Sequence, residues 1–164
     1  MSRMTWALIT SLLVPCLIAG DINAEVSEPL PTREACLITD HGIIPITVEM
    51  AITESDRRKG LMGRESLAPD TGMLFLYEEP RRPDHGFWMY QTLIPLDIAY
   101  LDKEGTILAI RQMAPCQSPS GSGCPVYRAG VSFSSVLEMN QSFFRNNGIS
   151  VGHRLSTSES ICKP

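Results

Sequence analysis

The sequence has no large excess of charge of either sign. Its 14 Lys and Arg stand against 18 Asp and Glu, which gives a formal net charge of −4 at pH 7. A chain without a strong positive field lacks the attraction that holds phosphate backbones and anionic bilayers. We therefore expect neither nucleic acid nor an anionic membrane surface as a partner. The basic triplet Arg57-Arg58-Lys59 is interpreted as a solvated helix face. In the alternative interpretation, Arg58 or Arg64 forms an anion-binding site near the sheet.

Motifs for metal binding and for nucleophilic catalysis are also missing. No C-x-x-C pair occurs among the cysteines, and the chain has three histidines, His41, His85 and His153. No G-x-S-x-G nucleophile elbow is present. These absences argue against a zinc site and against nucleophilic catalysis. We expect no cofactor, no metal and no catalytic activity, and keep a hydrolase as an alternative.

The first 24 residues have the pattern of a signal peptide. Arg3 supplies a positive charge, the apolar stretch MTWALITSLLVPCLIAG follows, and Ala24 is a small residue suited to cleavage before Glu25. We expect a removed signal peptide and export to the periplasm or the extracellular space. The alternatives are an uncleaved anchor and a lipid anchor on Cys16, which Pro15 disfavours, and membrane attachment is expected only through one of these.

Four cysteines remain after such a cleavage, and an even number is typical of an oxidising compartment. They are Cys36, Cys116, Cys124 and Cys162, which allow three pairings. Cys116 and Cys124 enclose the flexible segment QSPSGSG. We therefore pair Cys116 with Cys124, which leaves Cys36 for Cys162.

The length and the 43 % hydrophobic content suit one domain. Residues 25–33 are predicted as a flexible lead-in and residues 34–164 as a single β-rich domain. Two β-branched runs around Asp40-His41-Gly42 predict a hairpin. Roughly seven or eight strands with one or two short helices, and no regular strand–helix alternation, predict a mainly β, mostly antiparallel sandwich or small barrel.

The stretch GFWMYQTLIPLDIAYLD, residues 86–102, contains the main candidate site. Asp97 interrupts an apolar strand, where a carboxylate must find hydrogen-bond donors. In a structural interpretation the Asp97 carboxylate accepts hydrogen bonds from Thr92 or from nearby backbone amides, or forms an ion pair with Arg64. In a functional interpretation Asp97 and Arg64 lie at the rim of a pocket. The candidate ligand-binding residues are Arg64, His85, Trp88, Met89 and Asp97.

The methionines suggest an alternative function. Six of them follow the expected cleavage point, and thioether and imidazole ligands select Cu(I). Residues His85 to Met89 are the one place where imidazole, an aromatic face and a thioether come together in the sequence. Methionine in strand-like runs is more often a core residue. Cu(I) binding is therefore kept only as an alternative.

Several segments in order resemble a known family. They are RKGLMGRESLAPDTGMLFLY, FWMYQTLIPLDIAYLD, APC with a later CPVY, and SVLEMNQSFFRNNGISVGHRL, and they resemble the domain of unknown function 192 family over about residues 49–155. The resemblance implies a compact β-rich domain, often exported or at the bacterial or archaeal cell surface, with no established activity. The family usually has Lys-Asn where Tyr90-Gln91 stand here. We expect a non-catalytic module that binds an unidentified small molecule or envelope protein.

Overall fold

The computed structural model describes residues 29–163. The expected signal peptide, Cys16 and residues 25–28 of the expected lead-in lie outside these residues. The described elements are β1 Thr32–Thr39, β2 Gly42–Ala51, α1 Glu54–Lys59, β3 Thr71–Arg81, β4 Gly86–Trp88, β5 Leu96–Leu101, β6 Ile107–Met113, β7 Val126–Arg128, β8 Phe133–Asn140, α2 Phe143–Asn146, β9 Arg154–Ser156 and α3 Glu159–Cys162. Strand β1 thus begins within the segment that was expected to be a flexible lead-in.

Seven strands form one sheet in the order β6-β5-β8-β3-β2-β1-β9, and β4 pairs with β7 in a separate ribbon. Every strand pair is antiparallel except β2 with β3. A parallel pair needs a crossover, which the segment containing α1 supplies. The mainly β, mostly antiparallel prediction is confirmed. The described residues form no closed barrel, and the C-terminal α3 adds a third short helix.

The sheet curls strongly, although it stays open. The strands β6 and β9 stand at opposite ends of the sheet order. Nevertheless Ile107 N–H donates to the His153 carbonyl at 2.8 Å, and Leu155 N–H donates to the Gly105 carbonyl at 2.9 Å. The two sheet edges therefore meet near the β5–β6 turn.

Both faces of the sheet are covered, so two apolar clusters form. One cluster joins Val48, Leu74 and Leu137 to the aromatic rings of α2. The other cluster contains Phe75 and Ile98 and extends to side chains of β4 and β7. All six residues of β5 are buried, since alternate side chains point into opposite clusters. The outer ribbon therefore lies over the second cluster.

Two disulfides close the fold, and both predicted pairings are confirmed. Cys36 is bonded to Cys162 across a Cα–Cα distance of 5.4 Å, and Cys116 to Cys124 across 5.7 Å. Both distances lie in the normal range for disulfides. The first bond joins β1 to α3, and the second closes the loop before β7. Such bonds are typical of proteins that reside in oxidising compartments.

Candidate functional site

A cleft of about 640 Å³ opens between α1 and β4, above Tyr77 of β3. Its walls combine basic side chains from α1 with aromatic side chains from the strands. The lining residues are Ser55, Arg57, Arg58, Lys59, Met62, Tyr77, His85, Gly86, Phe87, Trp88 and Tyr90. We call this feature the cationic aromatic cleft.

Helix α1 is positioned by its ends. The Thr53 hydroxyl accepts a hydrogen bond from Asp56 N–H at 3.1 Å, and the Asp56 carboxylate accepts one from Thr53 N–H at 3.0 Å. This capping box starts the helix, and Gly60, with φ of +47°, ends it. The two hydrogen bonds with Thr53 lower the pKa of Asp56. The last turn of α1 then places three consecutive basic residues at the cleft.

Arg57 fastens α1 to the sheet. Its guanidinium donates to the carbonyl of Leu76 at 2.9 Å and also to the carbonyl of Ile52. The same group lies 5.0 Å from the centre of the Tyr77 ring, and the Arg81 guanidinium lies 5.3 Å from that ring. Both distances permit cation–π attraction. Burial raises the pKa of Tyr77 to about 12, so its hydroxyl keeps its proton at neutral pH.

His85 is a neutral hydrogen-bond donor in this cleft. Burial lowers its pKa, and the positive charge of Arg81 lowers it further. The Arg81 Nη2 and His85 Nδ1 atoms are 3.3 Å apart. A guanidinium can only donate, so Nδ1 accepts and the neutral ring carries its proton on Nε2.

Trp88 and Tyr90 form the exposed aromatic wall. Their rings stack with centroids 4.8 Å apart and planes inclined by 18°, and Trp88 is 46 % exposed. The loop closed by the Cys116–Cys124 bond supports this wall from behind. A Cβ atom on Gly121 would lie 2.3 Å from Trp88 Cζ2, and the Tyr90 hydroxyl donates to the Pro119 carbonyl at 3.2 Å.

The cleft is locally positive in a chain of net negative charge. It continues into a lobe of about 450 Å³ that Arg57, Arg58, Tyr77 and His85 share with Arg81 and Glu54. Three arginines thus stand against a single carboxylate among the residues that line this lobe. That carboxylate, Glu54, already pairs with Arg58 at 2.6 Å. A concave surface lined by one sign of charge focuses the field on its interior and attracts counter-ions.

The structure brings two of the five predicted ligand-binding residues together. His85 and Trp88 line the cleft, whereas Met89 is 2 % exposed and belongs to the second apolar cluster. Arg64 pairs with Glu49 at 2.5 Å rather than with Asp97. Asp97 is buried beneath α2. A role for these five residues in ligand binding stays a prediction.

Asp97 has one hydrogen-bond donor instead of the expected set. Its Oδ2 accepts from Phe144 N–H at 3.4 Å, and its Oδ1 has no partner among the described residues. The side chain is only 2 % exposed, so this arrangement costs desolvation free energy. The donor comes from α2, which is 47 residues away in the sequence. Asp97 therefore connects β5 to α2, and it is not among the residues that line the cleft.

Sequence reasoning missed the partners of His85 and Trp88 in the cleft. It interpreted the basic triplet of α1 as a solvated helix face and assigned no role to the second basic cluster, Arg81-Arg82. The useful signal was an aromatic-rich segment between two basic clusters. Only the crossover from β2 to β3 places these clusters on the same cleft.

Between residues 29 and 163, no three His, Cys, Asp or Glu side chains are close enough together to hold a metal ion. Over the same residues, no helix has the length and apolar character needed to cross a bilayer.

These observations define a mainly β, disulfide-bonded domain with an open cationic aromatic cleft. Residues 36–157 match the model of the family DUF192, described as Uncharacterized ACR, so the chain belongs to the domain of unknown function 192 family and the resemblance is confirmed. A solved structure from Sinorhizobium meliloti 1021, provisionally named a transcription regulator, is 33 % identical with a TM-score of 0.70, and the match covers 78 % of this chain and 95 % of that chain. A protein of unknown function from Novosphingobium aromaticivorans DSM 12444 is 28 % identical with a TM-score of 0.70, and that match covers 80 % and 89 %. The comparison with curated proteins found no match.

Proposed function

We propose that this protein is a non-catalytic module that binds a small molecule in the cationic aromatic cleft. The observation that carries the proposal is the cleft itself. Its volume of about 640 Å³ suits a small-molecule site, and it combines aromatic walls with convergent polar groups. An exposed Trp88 at such a place is a large apolar surface that a ligand can cover.

The chemistry of His85 favours binding over hydrolysis. A general base needs a free ring nitrogen within reach of the proton that it removes. In His85 the unprotonated nitrogen, Nδ1, accepts a hydrogen bond from Arg81, and Nε2 carries the proton. Ser55 also lines the cleft, but His85 in this state cannot activate it. The hydrolase alternative therefore receives no support from this geometry.

Two other readings receive less support. The Cu(I) alternative relied on Met89 beside His85, and Met89 lies in the core. The net charge of −4 provides no general attraction for DNA, so DNA binding, which the name of the Sinorhizobium protein suggests for that protein, has no support in this chain. The concentration of cations in one concave site fits a small ligand better than a duplex.

We also propose that the protein is exported and that it begins at Glu25 after cleavage behind Ala24. The two disulfides support an oxidising compartment. Intact-mass measurement of the protein recovered from the envelope fraction tests this proposal. A retained N-terminal segment, or recovery only from the cytoplasm, would refute it.

Native mass spectrometry tests the binding function. The protein is isolated from its native envelope under mild conditions, and we expect a small molecule to be retained. Trp88→Ala should lose that molecule, because it removes the exposed wall. Val151→Ala, which shortens a 59 % exposed apolar side chain outside the cleft, is the control and should retain it. Failure to find a ligand on the wild-type protein, or equal retention by both variants, contradicts the proposal.

A further inference from the structure

We infer that the ligand of the cationic aromatic cleft is an aromatic anion, in which a carboxylate or phosphate group is attached to a planar ring. The inference rests on the proposed binding function and adds the chemical class of the ligand. The anionic group lies at the end of the cleft formed by Arg58 and Arg81. The ring lies against Trp88.

The donors at the basic end fit an anion. Arg58 and Arg81 can only donate hydrogen bonds, and neutral His85 donates through Nε2. A carboxylate or a phosphate group accepts several such bonds at once, and charge-assisted bonds of this kind are short and strong. A neutral polar ligand would leave the excess positive charge uncompensated.

Arg58 is the basic residue best placed to change partners. Arg57 is held by two carbonyl oxygens, and its role is to anchor α1. Among the described residues, Arg58 forms an ion pair with Glu54, and the two side chains are 77 % and 80 % exposed. Such an exposed ion pair contributes little to stability. A ligand anion can therefore replace Glu54 as the partner of Arg58 at small cost.

The opposite end favours a flat ring over a flexible chain. The rings of Phe87, Trp88 and Tyr90 line the cleft outside the basic lobe, the Tyr77 ring is shared with that lobe, and Met62 is the one aliphatic side chain of the lining. Trp88 is already fixed by stacking on Tyr90, so it loses little freedom when a ligand packs on it. Aromatic surfaces attract one another in offset-stacked and edge-to-face arrangements.

Isothermal titration calorimetry with defined probes tests the inference. The probes are phenyl phosphate, benzoate, benzyl alcohol as a neutral ring, hexanoate as an aliphatic anion, and inorganic phosphate. We expect phenyl phosphate or benzoate to bind at least about tenfold more tightly than benzyl alcohol, since one charge-assisted hydrogen bond is worth about that factor. Both should also bind more tightly than hexanoate and inorganic phosphate. Which of the two aromatic anions binds better identifies the anionic group.

Charge variants locate the anionic end. Arg58→Gln and Arg81→Gln should each weaken binding of the better aromatic anion by about tenfold and leave binding of benzyl alcohol unchanged. Glu54→Gln should strengthen it, because the competing carboxylate is gone. The matched control is Arg33→Gln, which removes an exposed charge on β1 outside the cleft. Circular dichroism and the melting temperature verify that each variant is folded.

The outcomes separate this inference from the proposed function. If benzyl alcohol binds as tightly as the aromatic anions, or if Arg58→Gln and Arg33→Gln behave alike, the ligand class is wrong and the binding module stands. If hexanoate binds best, the ligand is an aliphatic anion and the inference fails. If no probe binds and no molecule is retained from the envelope, both proposals fail.

Discussion

At the scale of single residues, Gln91 has a backbone conformation that its type rarely adopts. Its φ is +54°, in the left-handed region, and its carbonyl accepts a hydrogen bond from Gly63 N–H at 2.9 Å. This region costs a residue with a Cβ atom roughly 1 kcal/mol or more, and asparagine tolerates it better than glutamine. The Asn that the resembled family usually has at this position is consistent with that geometry.

Replacing Gln91 with glycine should therefore stabilise the protein. We expect Gln91→Gly to raise the free energy of unfolding by about 0.5 to 1 kcal/mol, because relief of strain exceeds the entropy gained by the unfolded chain. Urea unfolding measures this difference. Gln112→Gly, at an exposed site within β6 where φ is not positive, is the control and should destabilise by a similar amount. A loss of stability in both variants would show that Gln91 is not strained.

Glu138 is a second buried acid that the sequence analysis did not single out. It lies on β8 between Met73 and Ile98 of the neighbouring strands and is 5 % exposed. Burial raises its pKa from about 4.5 to about 8. The folded protein thus keeps this proton at neutral pH, whereas the unfolded chain has released it.

This difference predicts that the protein loses stability as the pH rises. The contribution of Glu138 is complete below about pH 4.5 and is lost progressively up to about pH 8. The slope is at most about 1.4 kcal/mol per pH unit. Melting temperatures between pH 5 and pH 8 should fall for the wild-type protein and much less for Glu138→Gln. Glu65→Gln, an exposed control, should follow the wild type, and a parallel decrease in all three proteins would assign the effect to other groups.

At the scale of elements, the disulfide loop and the strand β4 act together. Gly121 and Gly123 both lie in this loop with positive φ, +72° and +80°. Behind Gly121 stands the Trp88 ring, whereas a Cβ atom at Gly123 would meet nothing within 4 Å. Both glycines thus adopt a positive φ, but of the two only Gly121 lies against the cleft wall.

This pair of glycines gives a test with a built-in control. Gly121→Ala and Gly123→Ala should each lose about 1 kcal/mol of stability through backbone strain, and Gly121→Ala should lose more because its Cβ atom meets the Trp88 ring. Only Gly121→Ala should also displace Trp88, and we expect it to shift the tryptophan emission and to reduce ligand retention several-fold. Fluorescence and native mass spectrometry measure these effects. Identical spectra and retention in both variants would show that the loop does not position the wall.

The sequence predicted individual secondary-structure elements well, but it predicted the tertiary contacts between them much less well. The turn at Asp40-His41-Gly42 is a local signal, and the structure contains the predicted hairpin. The parallel pairing of β2 with β3 has no local signal, because it depends on how the crossover packs. The cleft is assembled across that crossover, so Arg81 was not recognised as a neighbour of α1.

Single positions on strands were predictable only in part. Asp97 was correctly recognised as an acid in a buried strand, but its donor comes from α2 and could not be inferred from neighbouring residues. Glu138 follows Leu137 in β8, a strand that is covered on both faces of the sheet. The alternation of polar and apolar residues along a strand does not show whether the face that carries the polar residues is also buried, so the burial of Glu138 was not predicted. In both cases burial is decided by elements that are distant in the sequence.

At the scale of the whole molecule, the Cys36–Cys162 bond encloses nearly all of the described fold. It joins the first strand to the last helix across a sequence separation of 126, whereas Cys116–Cys124 spans a separation of 8. Loop-closure entropy grows with the length of the closed loop. The two bonds should therefore contribute about 5 and about 2.5 kcal/mol to stability.

Paired cysteine substitutions test this ranking. Cys36→Ala with Cys162→Ala should lower the free energy of unfolding by more than Cys116→Ala with Cys124→Ala, as measured by urea unfolding without reductant. The long-range pair also ties down β9, an edge strand of only three residues, so its loss should release the C-terminal segment to hydrogen exchange first. Substitution of Cys116 and Cys124 should instead reduce ligand retention, because the loop that their disulfide closes supports Trp88. Equal losses of stability, or unchanged exchange near β9 in the first variant, would contradict the view that the long bond clamps the ends of the fold.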